Sequence, residues 1–294
     1  MKYLIYLITY SFLWCISILP FPLLYLFSDF VYFLLYKVIG YRKKTVRNNI
    51  KMAFPEYTHK QVLAIEKAFY KYLCDMFLEM IKTMTISQDE MDRRYKFKNI
   101  EIVKEYEKKG KSIILMCSHY ASWEWVIILG KYLDTDGYGV YKKIANPYFD
   151  KLVRDIRSKF KAVLIDTKHT VSTIKNNESK GIHATYLFIS DQTPRLSTSN
   201  YWNTFMGINT PIHTGAEKLA KDLDMSVLYL KVSKIKRGFY EAEFIEITDE
   251  PRNTPEHYIT DTFLRIVENQ IKEEPRYYFW THKRWKHKTP KIKQ

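Results

Sequence analysis

The segment Ser112-Ile113-Ile114-Leu115-Met116-Cys117-Ser118-His119-Tyr120-Ala121-Ser122-Trp123-Glu124 carries a short apolar run into a helical pattern. Bounded upstream by Lys109-Gly110-Lys111, the run Ser112 to Cys117 reads as a buried strand. His119 then falls just past the carboxyl end of that strand, the edge where mixed α/β proteins place their chemistry. Glu124 follows five positions later. At about 100° per residue, five helical steps turn the chain by about 500°, which leaves two side chains about 140° apart on a regular helix. The pair converges only if the chain turns between them. Ser122 is the expected N-cap, with Glu124 in the first turn, where the helix dipole favours a carboxylate. An imidazole base held by a carboxylate is the equipment for removing a proton from an alcohol. Without that contact, the same two residues are a surface histidine and an ordinary helix-start glutamate.

Downstream, apolar runs alternate with helical patterns. Tyr138 to Tyr141, Val163 to Ile165 and Ala184 to Ile189 read as strands, and Trp123 to Leu133, Tyr148 to Phe160 and Val171 to Asn176 as helices. Asp191 to Pro211 reads as a polar loop. Thr214 to Leu223 reads as a helix, Val227 to Val232 with Phe239 to Ile247 as a hairpin-like pair, and Pro255 to Lys272 as the last helix. Upstream, Val62, Ile65, Phe69, Leu73, Met76, Phe77 and Met80 recur at helical spacing after Thr58, giving a long amphipathic helix to Met84. The alternation predicts an α/β fold, a central mixed sheet flanked by helices.

The amino terminus is different. From Tyr3 through Ser28 no residue is charged, and apolar character resumes after Asp29 as far as Val38. That is long enough for a bilayer core, which needs about 20 apolar residues. Pro20 and Pro22 interrupt it, predicting one helix over Leu4 to Leu19 and a second from Leu23 to Ile39. The basic cluster Tyr41-Arg42-Lys43-Lys44-Thr45-Val46-Arg47 follows, of the kind retained on the cytoplasmic side. Residues 1–40 are therefore expected to be a hydrophobic membrane anchor and 41–294 a domain on its cytoplasmic face.

The net charge of +15 suits anionic partners: nucleic acid, an acidic lipid surface or an acidic carrier protein. Basic residues interleaved with 16% aromatics would fit a nucleic-acid-binding protein, but that reading leaves the charge-free amino terminus unexplained. Cys15, Cys74 and Cys117 are scattered, so neither a disulfide framework nor a zinc site follows. His119, His183, His213 and Asp191 match no metal-ligand spacing, so neither metal nor cofactor is expected.

The order of motifs around His119 and Glu124 resembles the late acyltransferases of lipid A biosynthesis, the lauroyl and myristoyl transferase group of the glycerolipid acyltransferase superfamily. Most of the chain carries the likeness: Asn48-Asn49-Ile50, Phe54-Pro55, the His-x4-Glu box, Val140-Tyr141, Asn146-Pro147, Arg157, Asp191-Gln192, Phe205-Met206-Gly207, Thr214-Gly215 and Trp280-Thr281-His282-Lys283-Arg284-Trp285-Lys286. The resemblance implies transfer of a fatty acyl chain from a thioester, on acyl carrier protein or coenzyme A, to a hydroxyl of a lipid A precursor at the inner membrane, with no nucleic acid involved. A lysophospholipid or aminolipid acceptor is the alternative within this class. One departure stands out: Ala121-Ser122 occupies positions where the family often has Gly-Asn, and alanine disfavours a left-handed turn there.

On this reading His119 is the general base and Glu124 its orienter. Ser118 is a structural neighbour, since no Gly-x-Ser-x-Gly elbow is present. Backbone N–H groups at the helix start after Ser122 are the expected oxyanion donors. Asn146, Arg157, Asp191, Gln192, His282 and Arg284 are the expected substrate-binding residues. A guanidinium pairs with phosphate, and Asp191, directly after a strand, is placed to orient a site group by hydrogen bonding. Trp280 to Lys286 reads either as a strand with a basic face or as a basic tail with aromatic packing.

Overall fold

A computed structural model describes residues 2–198 and 200–287. The part of the basic run Lys283 to Lys293 beyond His287 lies outside them. The chain opens with α1 (Lys2–Ile18) and α2 (Phe21–Tyr32), which continues as a π-helical segment, Phe33–Ile39. The break between them falls at Pro20, as the prolines predict, and Phe21–Ile39 is long and apolar enough to cross a membrane by length and composition. Next come α3 (Lys43–Ala53) and α4 (His59–Lys82). The start of α4 is fixed by a capping box, in which the Thr58 hydroxyl accepts from the Gln61 N–H and the Gln61 side chain accepts from the Thr58 N–H.

The sheet is built by β1 (Tyr95–Phe97), β2 (Ile113–Cys117), β3 (Asp136–Tyr141), β4 (Ala162–Asp166) and β5 (Ala184–Ile189), with β8 (Ser226–Lys236) and β9 (Phe239–Thr248) after the separate β6 (Trp202–Phe205) and β7 (Ile208–Pro211) hairpin. Helices α5 (Gln88–Arg94), α6 (Glu101–Lys108), α7 (Pro147–Ser158), α8 (Thr170–Ser179), α9 (Gly215–Leu223) and α10 (Tyr258–Glu273) flank it. The strand order is β1-β9-β8-β2-β5-β3-β4, with β8 and β9 antiparallel and every other pair parallel. This is the mixed α/β sheet the alternation predicts. All five residues of β2 are buried, as a strand with parallel neighbours on both sides requires.

Two local readings differ, and one left between two alternatives is decided. The segment after Ser122 is a 3₁₀ helix, Trp123–Lys131, and the Ser122 side chain makes no capping bond. The loop Asp191 to Pro211 contains the β6–β7 hairpin, closed by Met206 (φ +52°) and Gly207 (φ +72°), a left-handed pair that suits a two-residue turn. Trp280 to Lys286 forms turns rather than a strand, with Trp280 and Trp285 buried, so the reading as aromatic packing holds.

That carboxyl-terminal segment straps the fold together. The Phe279 N–H donates to His119 O (3.1 Å), the Ala121 N–H to Tyr277 O (3.0 Å), and Tyr120 and Tyr278 form an antiparallel bridge. From the other side, Asn49 Nδ2 donates to the carbonyls of Trp280 (2.8 Å) and His282 (2.7 Å), and Arg42 to that of Thr281 (3.0 Å). Residues 42–49 and 277–282, far apart in sequence, thus meet beside the His119 turn.

Candidate active site

The turn after β2 is held from both sides. Ala121 lies in the left-handed region (φ +49°) despite its methyl group, a conformation that costs an alanine about 1–2 kcal/mol. Its carbonyl accepts from the Tyr72 hydroxyl (2.6 Å) and its N–H donates to Tyr277, so the surrounding structure imposes the turn that glycine would adopt freely.

The His119 ring packs edge-on to Trp123 (centroids 5.3 Å apart) and stacks on Phe279 (6.0 Å). Its Nδ1 is 2.6 Å from Asp191 Oδ1, and the same oxygen accepts the His119 backbone N–H at 3.0 Å. β2 and β5 are neighbours, with Cys117 opposite Ile189, so the residues just past their ends meet. Asp191 is almost fully buried. Burial works to raise its carboxyl, but the His119 imidazole and the hydrogen bonds from His119 outweigh it and hold the group below its usual range. An ionised Asp191 fixes the proton on Nδ1, which leaves Nε2, without a protein partner among the described residues, as the basic nitrogen.

Glu124 does not brace the imidazole as the spacing suggested. Its carboxylate takes a two-point ion pair from Arg157, Nε to Oε2 at 3.1 Å and Nη2 to Oε1 at 2.7 Å. The left-handed Ala121 and the tighter 3₁₀ winding turn it toward α7 instead.

His119, Glu124, Arg157, Gln192, Thr193 and His213 are polar residues lining a cavity of about 710 Å³. Phe77, Met80, Ile127, Leu164, Leu187 and Ile189 are among its apolar lining residues. A smaller, mostly apolar space of about 40 Å³ adjoins it, sharing Ile127, Gly139, Leu164 and Leu187 and reaching Leu133 and Ala162. A base, a cation and a greasy wall in one cavity suit an amphiphile.

The other expected binding residues are placed differently. Asn146 caps α7, its Oδ1 accepting the Tyr148 N–H (3.0 Å), and it is not part of the cavity wall. Arg284 is buried and spends Nη1 on Thr193 Oγ1 (3.3 Å), Thr210 Oγ1 (3.2 Å) and Pro211 O (3.4 Å), so it supports the loop after Asp191 rather than reaching a ligand. His282 Nε2 accepts the Thr193 N–H at 3.4 Å, also behind the wall. Ser118 is buried, its hydroxyl 3.0 Å from that of Tyr229. Sequence reasoning passed over Thr193 and, as a member of this site, His213; their position past strand ends was the available signal.

Burial, with His119, Arg284 and Lys286 nearby, pulls His282 down to about 4 against the attraction of Asp191. An unfolded histidine titrates near 6.5, so as pH falls the unfolded chain takes up this proton first, and the folded state loses stability from about pH 6.5 down to about pH 4. Between pH 7 and 5, melting in detergent is expected to cost the wild-type chain about 1–2 kcal/mol more than His282→Gln, a figure discounted for partial solvent exposure. Equal losses would show that the buried ring carries no such linkage.

Residues 1–287 match the bacterial lipid A biosynthesis acyltransferase family, and the chain belongs to that family. It is therefore an acyltransferase of lipid A, and so of lipopolysaccharide, biosynthesis, which sets aside the non-enzymatic nucleic-acid-binding reading. No individual curated protein matches it.

Proposed function

We propose that the protein is a membrane-associated O-acyltransferase that moves a fatty acyl chain from a thioester, that of acyl carrier protein before that of coenzyme A, to a hydroxyl of a lipid A precursor. The observation that carries this reading is the 2.6 Å pairing of His119 Nδ1 with buried Asp191 at a cavity lined by both polar and apolar side chains.

In this mechanism Nε2 of His119 takes the hydroxyl proton as the acceptor oxygen attacks the thioester carbonyl. The C–O bond forms, the tetrahedral oxyanion collapses, and the C–S bond breaks. The imidazolium returns its proton to the departing thiolate, so the products are an ester and a thiol. Such base catalysis contributes about 10²–10⁴-fold. Asp191 stabilises the imidazolium, a role like that of the third member of a hydrolase triad. A thioester is already activated, so no covalent acyl-enzyme is needed, in keeping with the buried Ser118. Backbone N–H groups at the start of the 3₁₀ helix are the proposed oxyanion donors. Arg157, steadied by Glu124, is proposed to meet a phosphate of the acceptor headgroup or of the carrier's prosthetic arm, with Gln192 beside it.

The apolar wall takes the acyl chain in this reading, with its far end toward the space beyond Gly139. A Cβ at Gly139 would lie 3.3 Å from Leu164 Cδ2, so Gly139→Val narrows this passage. That variant is expected to shift the transferred chain toward shorter lengths, read by mass spectrometry of the product; an unchanged length distribution would remove the chain from this passage.

Membrane association at the cytoplasmic face of the inner membrane is supported by the apolar amino-terminal helices and the basic cluster Arg42 to Arg47. Comparing lipids of cells with and without the chain tests the acceptor: a missing acyl chain on lipid A is expected, whereas unchanged lipid A beside an altered phospholipid or aminolipid would name the other acceptor.

A further inference from the structure

Both amino-terminal helices are fastened to the catalytic domain along their length. In α1, Tyr6, Thr9, Leu13 and Ile16 form a narrow inward stripe, while Leu4, Ile8, Phe12, Trp14 and Ile18 are exposed. Near its start, the rings of Tyr3 and Tyr6 lie 5.2 and 5.5 Å from that of Tyr148 on α7. At its end, Lys82 of α4 donates to the carbonyls of Ser17 (2.7 Å) and Leu19 (2.8 Å). The helix is about 25 Å long at 1.5 Å per residue, so its whole axis stays beside the domain.

The second helix is tied by polar groups. Tyr25 donates to Glu79 (2.9 Å), Ser28 to Asp75 (2.7 Å) and Tyr36 to Glu66 (3.0 Å), and Asp29 pairs with Arg237 (2.7 Å). The three acceptors sit along α4. If Phe21–Ile39 crossed the hydrocarbon, these carboxylates and Arg237 would be carried to membrane depth with it, where ionised groups are strongly disfavoured. The outward face, Leu23, Leu26, Phe30, Phe33 and Val38, is exposed and apolar. Lys37 within that segment and Lys43 and Lys44 just past it form no ion pair with a carboxylate among the described residues; Lys43 Nζ lies 4.2 Å from the Tyr36 ring centroid, and the exposed Lys37 and Lys44 are placed to meet lipid phosphates.

We propose that α1 and α2 with its π-helical continuation do not cross the bilayer but lie in a single leaflet of an anionic membrane, outer faces among the acyl chains and the basic cluster at the headgroups. This rests on the membrane association proposed above and deepens it. Phe77 and Ile144, both exposed, line the cavity, and Tyr148 beneath α1 lies four residues past Ile144. The mouth thus adjoins the immersed face, and a lipid acceptor reaches His119 by moving sideways within its own leaflet.

The test uses membrane-impermeant maleimide on right-side-out and inverted vesicles from cells making the full chain. Cys15 is exposed on α1 whereas Cys74 and Cys117 are buried, so the wild-type chain itself reports immersion. Cys15 is expected to stay unlabelled in intact vesicles of either orientation and to label after detergent. Labelling without detergent, or recovery of the chain in the soluble fraction, overturns the membrane reading and this proposal together. In a Cys15→Ser parent, Lys44→Cys is expected to label from one face, while Leu4→Cys and Pro20→Cys remain at the parent's background from the opposite face. Labelling of either from the face opposite Lys44→Cys overturns the single-leaflet placement alone. Ile5→Cys and Pro22→Cys duplicate the two positions should a variant fail to accumulate.

Discussion

Replacing His119 with alanine is expected to slow acyl transfer by about 10²–10⁴-fold, the usual worth of a positioned base, with kcat carrying the loss. The cause is specific: of the two imidazoles that line this cavity, His119 has the buried Asp191 carboxylate on one ring nitrogen, whereas burial pulls the other, His213, below the usual histidine range. The ring's packing partners, Trp123 and Phe279, also contact each other at 5.3 Å, so the wall outlasts its loss. Far-ultraviolet circular dichroism and vesicle binding are therefore expected to be unchanged. Turnover within a few-fold of wild type would remove His119 as the base.

The second large effect separates two carboxylates that sequence spacing does not. Asp191→Asn is expected to lower kcat by about 10²–10⁴-fold, because the amide neither balances an imidazolium nor forces the proton onto Nδ1. Its Oδ1 is the single acceptor for both His119 N–H groups, so the tautomer and the turn are set by the same atom. Glu124→Gln instead weakens the two-point pair with Arg157 and is expected to act mainly on KM, by about tenfold, while kcat stays near wild type. If the kcat loss fell on Glu124→Gln and spared Asp191→Asn, Glu124 would be the imidazole's partner and the pairing proposed here would be wrong.

Local features of the fold are legible in the sequence. The apolar run before His119, the Thr58 cap and the break at Pro20 each depend on a few neighbouring residues, and each element lies close to where the pattern puts it. Residues 119 and 191 each read as strand-end site positions, but their meeting depends on β2 and β5 being adjacent, a property of strand order that no local window contains. Glu124 was the nearest carboxylate in sequence and so the natural choice. What turned it away is a left-handed alanine, stabilised by Tyr72 and Tyr277 from distant parts of the chain. The β6–β7 hairpin, by contrast, did leave a signal: Trp202 to Phe205 and Ile208 to Pro211 flank a Met-Gly pair, a two-residue turn hidden inside an otherwise polar stretch.

The proposed chemistry passes the acyl group directly from thioester to lipid hydroxyl, and one single-turnover experiment addresses that step. Purified full-length protein in lipid vesicles is mixed with a lipid A precursor and an acyl thioester, quenched over time, and the masses of lipid and intact protein are measured in the same samples. The account predicts that the lipid gains one acyl group in step with thioester loss while the protein mass never changes. A transient gain of one acyl mass on the protein, or thioester loss with no acylated lipid, would contradict it.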